Sequence, residues 1–466
     1  MGHPFSQLAL PPATVANLAQ LGYTSMTPIQ AASLPLALAG RDLIAQAKTG
    51  SGKTAAFALA LLSRLNPPFA GVQALVLCPT RELSQQVSAE IRRIARADGN
   101  IKVLTVCGGT PIRPQLASLE HGAHVVVGTP GRILDHLARG SLELRGLRTL
   151  VLDEADRMLD MGFFDDIVQV VEHCPGDRQT LLFSATYPEG IASLSRRFQR
   201  APEQVFLTEK HAPSKIRQRF YRIEDAERFE AVVRLLEHFR PDRTLAFCNT
   251  KQRCRDLLAH LERRGIVALA LHGDLEQRER DQVLVQFGNR SCSVLVATDV
   301  AARGLDIAEL EAVVNVDVTP DPEVHVHRIG RTGRVDEEGW AFTLANAHEE
   351  SRVARIEAAQ GTPCAWHALL ELTRASPEAL FPRMATLQIL GGRREKIRAG
   401  DVLGALTGEA GFRAAQVGKI DVNAFATYVA VERRIAAEAL RKLSAGKVKG
   451  RSVQVRMLPE PAPRLR

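Results

Sequence analysis

Two long stretches of the chain share one texture. Short apolar runs recur, each closed by a polar or glycine-bearing turn, with helical periodicity between them. In the first stretch the runs are Ala74–Cys78, Val103–Cys107, Val125–Gly128, Leu150–Asp153 and Thr180–Ser184. In the second they are Thr244–Asn249, Val267–His272, Ser293–Thr298, Ala312–Asp317 and Ala341–Ala345. Runs of this kind read as strands buried on both faces, and their alternation with helices predicts an open parallel α/β sheet in each stretch. Such sheets bind ligands at the carboxyl ends of their strands, so the polar residues that close the runs are the candidates for function. Between the stretches, Thr208–Ile216 carries charges and a proline but no apolar period, and reads as a linker. A second break falls around Ala375–Arg383, where Pro377 and Pro382 stand among small and polar residues. Beyond it, Leu387–Leu458 reads as strand, helix, strand, strand, helix, strand. Its helical patterns lie near Asp401–Ala410 and Arg434–Leu443, with a strand over Lys419–Val431.

At roughly 150 residues per domain, 466 residues suggest three. The expected boundaries are 1–209 and 217–365 for the two α/β domains, with linkers at 210–216 and 366–384, a small domain at 385–460 and a tail at 461–466. The apolar runs are far shorter than the ~20 residues of a membrane span. Met1–Leu10 lacks a basic start followed by an apolar stretch, so no secretory signal is expected. Seven scattered cysteines, with no C-x-x-C pair, argue against a disulfide framework or zinc site and fit a reducing cytoplasm. Charge changes the picture more. The chain carries a net +8, yet from Arg383 onward seventeen Lys and Arg face only seven Asp and Glu. The basic excess therefore lies in the last fifth, the distribution expected of a nucleic-acid-binding tail.

The first stretch holds a phosphate loop. Ala47-Lys48-Thr49-Gly50-Ser51-Gly52-Lys53-Thr54 follows the apolar turn Asp42–Ala45 and precedes a helical pattern, Ala55–Leu62. Gly50 and Gly52 let backbone N–H groups approach phosphate oxygens, and the helix start adds a favourable dipole. Lys53 can reach the β and γ phosphates, and the Thr54 hydroxyl can hold Mg²⁺. About a hundred residues on, the run Leu150–Leu152 ends in Asp153-Glu154-Ala155-Asp156. Asp153 can hold Mg²⁺ through water, and Glu154 is placed to orient and deprotonate an attacking water. The second stretch has no such loop, but it offers His327-Arg-Ile-Gly-Arg331-Thr-Gly-Arg334. Arginines reaching a phosphoryl group from another domain stabilise its transition-state charge.

With these residues the chain resembles the DEAD-box RNA helicases over almost all of positions 5–345, with about ten short motifs in the family's order. Phe5, seventeen residues before Gly22-Tyr23, and Thr27-Pro-Ile-Gln30 look like the adenine-reading motif. The resemblance implies that Gln30 hydrogen-bonds the base and Phe5 stacks on it, favouring ATP. It implies two tandem RecA-like domains, an ATP hydrolase and the cofactors ATP and Mg²⁺. It makes Asp156, Ser184, Thr186 and His327 interdomain coupling residues, Asp306 a ribose contact, and Arg331 and Arg334 arginine fingers. On the RNA side it places Thr80 and Arg81, Gly109, Thr129 and Arg132, Gln277 with Arg280, and Thr298. These hydroxyls, amides and guanidinium groups suit phosphate and sugar contacts and carry little base information. Ala47 stands where the phosphate-loop pattern has glycine, a change the family tolerates.

The last stretch looks like an α+β RNA-recognition (RRM-like) fold. Ile397-Arg-Ala-Gly-Asp401-Val-Leu-Gly-Ala-Leu-Thr-Gly-Glu409 and Val417-Gly-Lys-Ile420 are similar to the tail of the bacterial DbpA subfamily. That resemblance implies capture of a 23S rRNA hairpin near the peptidyl-transferase centre, in large-subunit precursors. The aromatic stacking pattern of the fold is incomplete, since Leu387–Gly391 has no aromatic. The strand Lys419–Val431 carries Phe425 and Tyr428, but recognition is expected to rest more on Lys396, Arg398, Lys447, Lys449 and Arg451 than on stacked bases. The expected activity is RNA-dependent ATP hydrolysis with local, non-processive unwinding and no obligate protein partner. Its rivals are an ATP-gated RNA clamp or assembly scaffold, and a DNA helicase on the same core.

Overall fold

The computed structural model describes residues 3–47, 51–187, 189–206, 216–302, 310–333, 338–376 and 380–458. Lys48, Thr49, Gly50, Asp306 and Arg334 lie outside the described residues, as does the expected linker apart from Ile216. One compact unit takes in the described chain up to Phe206, and a second the described chain from Ile216 onward.

The first unit is built on β1 (Leu43–Gln46), β2 (Ala74–Leu77), β3 (Val103–Val106), β4 (Val125–Gly128), β5 (Thr149–Asp153), β6 (Gln179–Ser184) and β7 (Glu203–Phe206). They form a parallel sheet in the order β3-β4-β2-β5-β6-β1-β7. The central runs are continuous in sequence because both faces are covered. Val76, Val125 and Val151 pack into one apolar layer, and Leu75, Val126 and Leu150 into the other. One expectation is corrected here: the apolar turn read over Asp42–Ala45 falls largely in strand Leu43–Gln46, paired between β6 and β7.

The second unit repeats the plan with β8 (Ile216–Arg222), β9 (Thr244–Cys248), β10 (Ala268–Leu271), β11 (Val294–Thr298), β12 (Ala312–Asn315), β13 (Gly339–Ala345) and β14 (Trp366–His367). Their order is β10-β11-β9-β12-β13-β8-β14, the first sheet's order moved along by seven strands. The two halves are thus one architecture used twice, a relation their sequences do not display. The expected α/β class with two parallel-sheet domains holds.

The second unit also carries an antiparallel sheet, β15 (Met384–Leu390), β16 (Val417–Val422), β17 (Thr427–Glu432) and β18 (Gln454–Met457), ordered β16-β17-β15-β18. Ala385, Leu387, Ile389, Val429 and Val431 pack on one face with Val402, Leu406 and Leu443 from two helical segments. This is the expected small α+β domain. The strand read over Lys419–Val431 is corrected to a hairpin. Asn423 donates across it to the Ala426 carbonyl, and Phe425 stands exposed at the tip. The opposite face of this sheet is covered as well. Thr386 and Gln388 are each 2% exposed. Thr386 Oγ1 meets Asn289 Nδ2 at 3.2 Å and Ser291 Oγ at 2.5 Å, both in the turn that leads into β11. Tyr428 is buried on the same face, its hydroxyl accepting from Gln388 Nε2. It is a packing residue there, not an open stacking surface. All seven cysteines are free, and no helix among the described residues is long and apolar enough to cross a membrane.

Candidate nucleotide and nucleic-acid site

Strands β5, β6 and β1 are neighbours, so the residues at their carboxyl ends are brought side by side. The Ala47 N–H donates to the Ser184 carbonyl at 3.0 Å, carrying the ladder to the point where the chain leaves the sheet. Helix Lys53–Ser63 then starts behind Gly52, whose φ of 93° is left-handed. A Cβ at Gly52 would lie 2.5 Å from Gln30 Nε2 and 3.1 Å from Thr27 Oγ1, so glycine is needed for both backbone angle and space. Lys53 is buried, and its Nζ donates to the Ala47 carbonyl at 2.6 Å, folding the lysine back across the loop. Ser51 and Thr54 flank it, both partly exposed.

Thr27 and Gln30 close on the same turn. They cap helix Pro28–Leu38 reciprocally: Thr27 Oγ1 accepts from the Gln30 N–H, and Gln30 Oε1 accepts from the Thr27 N–H. Gln30 Nε2 donates to the Gly52 carbonyl at 3.0 Å. The glutamine expected to read adenine is therefore also the strut between its motif and the phosphate loop. Phe5 is 3% exposed and lies edge-on to Tyr23, ring centroids 6.2 Å apart.

Asp153 ends β5 and is fully buried. Burial, then the neighbouring Glu154 carboxylate, pushes its carboxyl up to about 7 against the pull of Lys53. Glu154 has φ 52° and ψ 51°, a left-handed backbone unusual for a residue with a Cβ. Its Oε2 accepts from Arg157 Nη1 at 2.7 Å in a buried ion pair. Asp156 reaches across to the end of β6. Its Oδ2 accepts from the Ala185 N–H at 3.0 Å, the Thr186 N–H at 2.9 Å and the Thr186 hydroxyl at 3.0 Å. The Asp156 N–H donates to Ser184 Oγ at 3.3 Å. Burial alone would raise the Asp156 carboxyl. The Thr186 N–H, the Lys53 charge, the Arg157 N–H and the Thr186 hydroxyl outweigh it and hold the group below the usual carboxylate range.

The other half of the sheet edge carries the second set. Thr80 follows β2 and caps helix Arg81–Ile94, its hydroxyl accepting from the Leu83 N–H at 3.2 Å. Gly109 follows β3 with a φ of 72°, and the neighbouring Gly108 N–H donates to the Thr129 hydroxyl at 3.4 Å beyond the end of β4. Arg132 donates to the Thr110 carbonyl and Gln115 Oε1, and pairs with Asp135. The expected nucleotide-site and coupling residues thus lie off β1, β5 and β6, and the expected RNA residues off β2, β4 and β3, along one edge.

The second sheet shows the same division. Thr298 ends β11 and Gln277 begins the helix after β10. Arg280 Nη2 donates to the Ala301 carbonyl at 2.6 Å. Thr250 follows β9 as Thr80 follows β2, and its hydroxyl caps its helix in the same way, on the Arg253 N–H at 3.1 Å. Helix Pro322–Ile329 carries His327 and leads to Arg331, which is buried. Sequence reasoning missed Thr250 and also the residue that organises this region. Arg328, 1% exposed, donates from Nε and Nη2 to the two carboxylate oxygens of Asp299, both at 2.7 Å. It also donates to Asn249 Oδ1 at 2.8 Å and to the Asp317 carbonyl at 2.8 Å.

In the small domain the basic residues gather on adjoining turns. Lys396 has φ 60° and Lys449 φ 54°, and the Lys449 ammonium donates to the Lys396 carbonyl. Arg451 closes the Lys449 turn by a bridge to Val448. Lys447 precedes that bridge, and the Arg398 N–H caps on Asp401. Beside them, and unanticipated, the Arg394 guanidinium lies 4.3 Å over the exposed Phe425 ring.

Sequence patterns of three families match the chain: DEAD/DEAH box helicase over residues 27–194, helicase conserved C-terminal domain over 227–336, and DbpA RNA binding domain over 386–457. The ATP-dependent RNA helicase DbpA of Escherichia coli (strain K12) is 51% identical over 455 residues, covering 97% of this chain and 99% of that protein. The ATP-dependent RNA helicase CshA of Listeria monocytogenes is 45% identical over 354 residues, 76% of this chain and 68% of that one. Among solved structures, S. cerevisiae Dbp5 bound to RNA and ADP BeF3 superposes with a TM-score of 0.72 at 31% identity, over 78% of this chain and 95% of that one.

Proposed function

This chain belongs to the DEAD-box ATP-dependent RNA helicases and carries a DbpA-type RNA-binding domain, and from that premise we propose how its residues divide the work. Lys53 and the N–H groups at the start of its helix hold the β and γ phosphates. Glu154 orients the attacking water and takes its proton. When ATP and RNA close the core, Arg331 and Arg334 bring positive charge to the γ-phosphate, so hydrolysis depends on RNA. Thr80, Arg81, Gly109, Thr129, Arg132, Gln277, Arg280 and Thr298 grip one RNA strand through its backbone. Closure then separates a short duplex locally. Thr54 and Asp153 would hold Mg²⁺. Their hard oxygens suit it, and the adjacent buried carboxylates of Asp153 and Glu154 concentrate negative charge that a divalent cation would offset. When bound, the ion neutralises charge on the phosphate oxygens.

The observation that supports this reading best is the shared edge of the first sheet, with nucleotide residues off three adjacent strands and RNA residues off the next three. A ligand change in one set can reach the other through rigid neighbouring strands. For the small domain we propose a tethering role directed at a 23S rRNA hairpin in precursors of the large ribosomal subunit. The basic turns at Lys396, Arg398, Lys447, Lys449 and Arg451 support it. Steady-state ATP hydrolysis tests both parts, with no RNA, with generic RNA, with DNA, and with a 23S fragment carrying the peptidyl-transferase hairpin. Strong stimulation by the fragment supports the whole proposal. Equal stimulation by every RNA removes the targeting role, and hydrolysis indifferent to RNA removes the mechanism.

A further inference from the structure

Glu154 has a second feature to which its proposed role assigns no purpose: a buried cationic partner of its own. Arg157 is 5% exposed and places Nη1 2.7 Å from Glu154 Oε2. Glu154 itself sits at φ 52°, ψ 51°. Non-glycine residues keep that backbone only where their surroundings fix it. Those surroundings can be traced. Helix Ala155–Asp160 begins directly after Glu154, and its first turn is anchored because Asp156 is held by Ala185 and Thr186. The Arg157 N–H donates to Asp156 Oδ1 at 2.9 Å, in the same turn. Arg157 then reaches back from that anchored turn to the carboxylate of Glu154.

We propose that Arg157 is the positioning residue for the general base. A base that must present one oxygen to a water needs a third group to fix its carboxylate plane. Arg157 occupies Oε2, which leaves Oε1 to receive the proton of the attacking water. The guanidinium also compensates a carboxylate that stands beside buried Asp153 and would otherwise turn away from it. Arg157 touches neither nucleotide nor RNA in this scheme. It acts on the rate of the chemical step and leaves ligand binding alone.

The inference rests on Glu154 being the base, and the experiment keeps the two apart. RNA-stimulated ATP hydrolysis is measured for the wild type, Arg157→Gln, Arg157→Lys and Glu154→Gln in the full chain, well below each thermal midpoint. Retention of single-stranded RNA with ADP–beryllium fluoride is measured beside it. The expected result for Arg157→Gln is a kcat lower by about ten- to a hundredfold, part of the ~10²–10⁴ a positioned base supplies, with KM for ATP and RNA retention within about twofold of wild type. Arg157→Lys, which keeps the charge but not the planar fork, recovers a large part of kcat. Wild-type kcat in Arg157→Gln beside an inactive Glu154→Gln overturns the inference and leaves the base assignment standing. Wild-type kcat in Glu154→Gln overturns the base assignment itself. Loss of kcat and RNA retention in parallel, in both Arg157 variants, makes Arg157 a merely structural residue and also overturns the inference.

Discussion

Arg328→Gln should loosen the second α/β domain more than any exposed charge change in it. The guanidinium is 1% exposed and joins three strand ends, through Asn249 after β9, Asp299 after β11 and the Asp317 carbonyl after β12. It also lies 5.1 Å over the Phe247 ring. Glutamine cannot span these partners, so a carboxylate and at least one carbonyl lose their donors. Breaking a buried ion pair by removing one member costs about 3–5 kcal/mol. Asp299 is 24% exposed, and water can reach part of it, so the lower end, about 3 kcal/mol, is expected. Asp299→Asn should cost a similar amount, and the double variant clearly less than the sum, because the two changes remove one interaction. The chain supplies its own probe. Its two tryptophans, Trp340 and Trp366, lie in β13 and β14, so their fluorescence in a urea titration of the full chain follows the second sheet. The helix that holds Arg328 also holds His327 and leads to Arg331, so RNA-stimulated ATPase should fall with stability. A cost below about 1 kcal/mol, or strictly additive single variants, would show Arg328 to be an ordinary surface pair and refute the reasoning.

Gly52→Ala forces a Cβ to 2.5 Å from Gln30 Nε2 at a φ of 93°, at about 1–2 kcal/mol for the backbone alone. KM for ATP in steady-state hydrolysis should rise at least about tenfold, and an unchanged KM would deny the strut between Gln30 and the loop. Burial holds His325 neutral, its pKa lowered to about 4, while the unfolded side chain titrates near 6.5. Between those values only the unfolded chain takes up the proton. Stability of the second sheet should therefore fall as pH drops from about 6.5 to about 4, and His325→Gln should flatten that slope in the tryptophan-monitored titration. Lys447→Ala with Lys449→Ala should weaken binding of the 23S fragment and make its log–log salt slope shallower by about 1 for each lysine that neutralises a phosphate, measured by fluorescence anisotropy. An unchanged slope would place the RNA elsewhere on the domain.

Strands buried on both faces were readable because nothing polar interrupts them, and Val125–Gly128 was legible to the residue. Those that escaped are short or arginine-rich. β8 reads Ile-Arg-Gln-Arg-Phe-Tyr-Arg, and Arg217 and Arg219 cover the Trp340 ring with their guanidinium groups, at 5.5 and 5.1 Å. Its apolar contacts are made partly by charged side chains, which a hydropathy pattern counts as solvent. The site divides in the same way. Contiguous motifs such as 47–54 and 153–156 announce themselves, because backbone and side chain act within one turn. Arg328 did not, because its partners lie 11, 29 and 79 residues away and only the sheet order brings them together. Arg157 is the instructive omission. It stands three residues after Glu154, but Glu154 precedes the helix in a left-handed backbone, so the ion pair depends on that turn and not on a shared helical face.

The duplicated strand order raises the question of why only one copy keeps a phosphate loop, and the structure contains a physical answer. β8 occupies in the second sheet the place β1 has in the first. Each is followed by a helix whose first residue is a buried cation, Lys53 in one case and Arg228 in the other. Lys53 reaches back to the Ala47 backbone carbonyl, a contact that a phosphate oxygen can replace. Arg228, 1% exposed, is bound on every side: Asp225 at 2.8 Å, Glu349 at 2.8 Å and the Val316 carbonyl at 2.5 Å. Two carboxylates already fill the space an anion would take, and no glycine lies between β8 and the helix to open the backbone. A phosphate there would have to displace paired charges from a buried position, at several kcal/mol. Among the described residues, the connection after β8 therefore does not repeat the phosphate site found after β1. Arg331, proposed above to bring charge to the γ-phosphate, instead follows the helix that Arg328 pins at other strand ends.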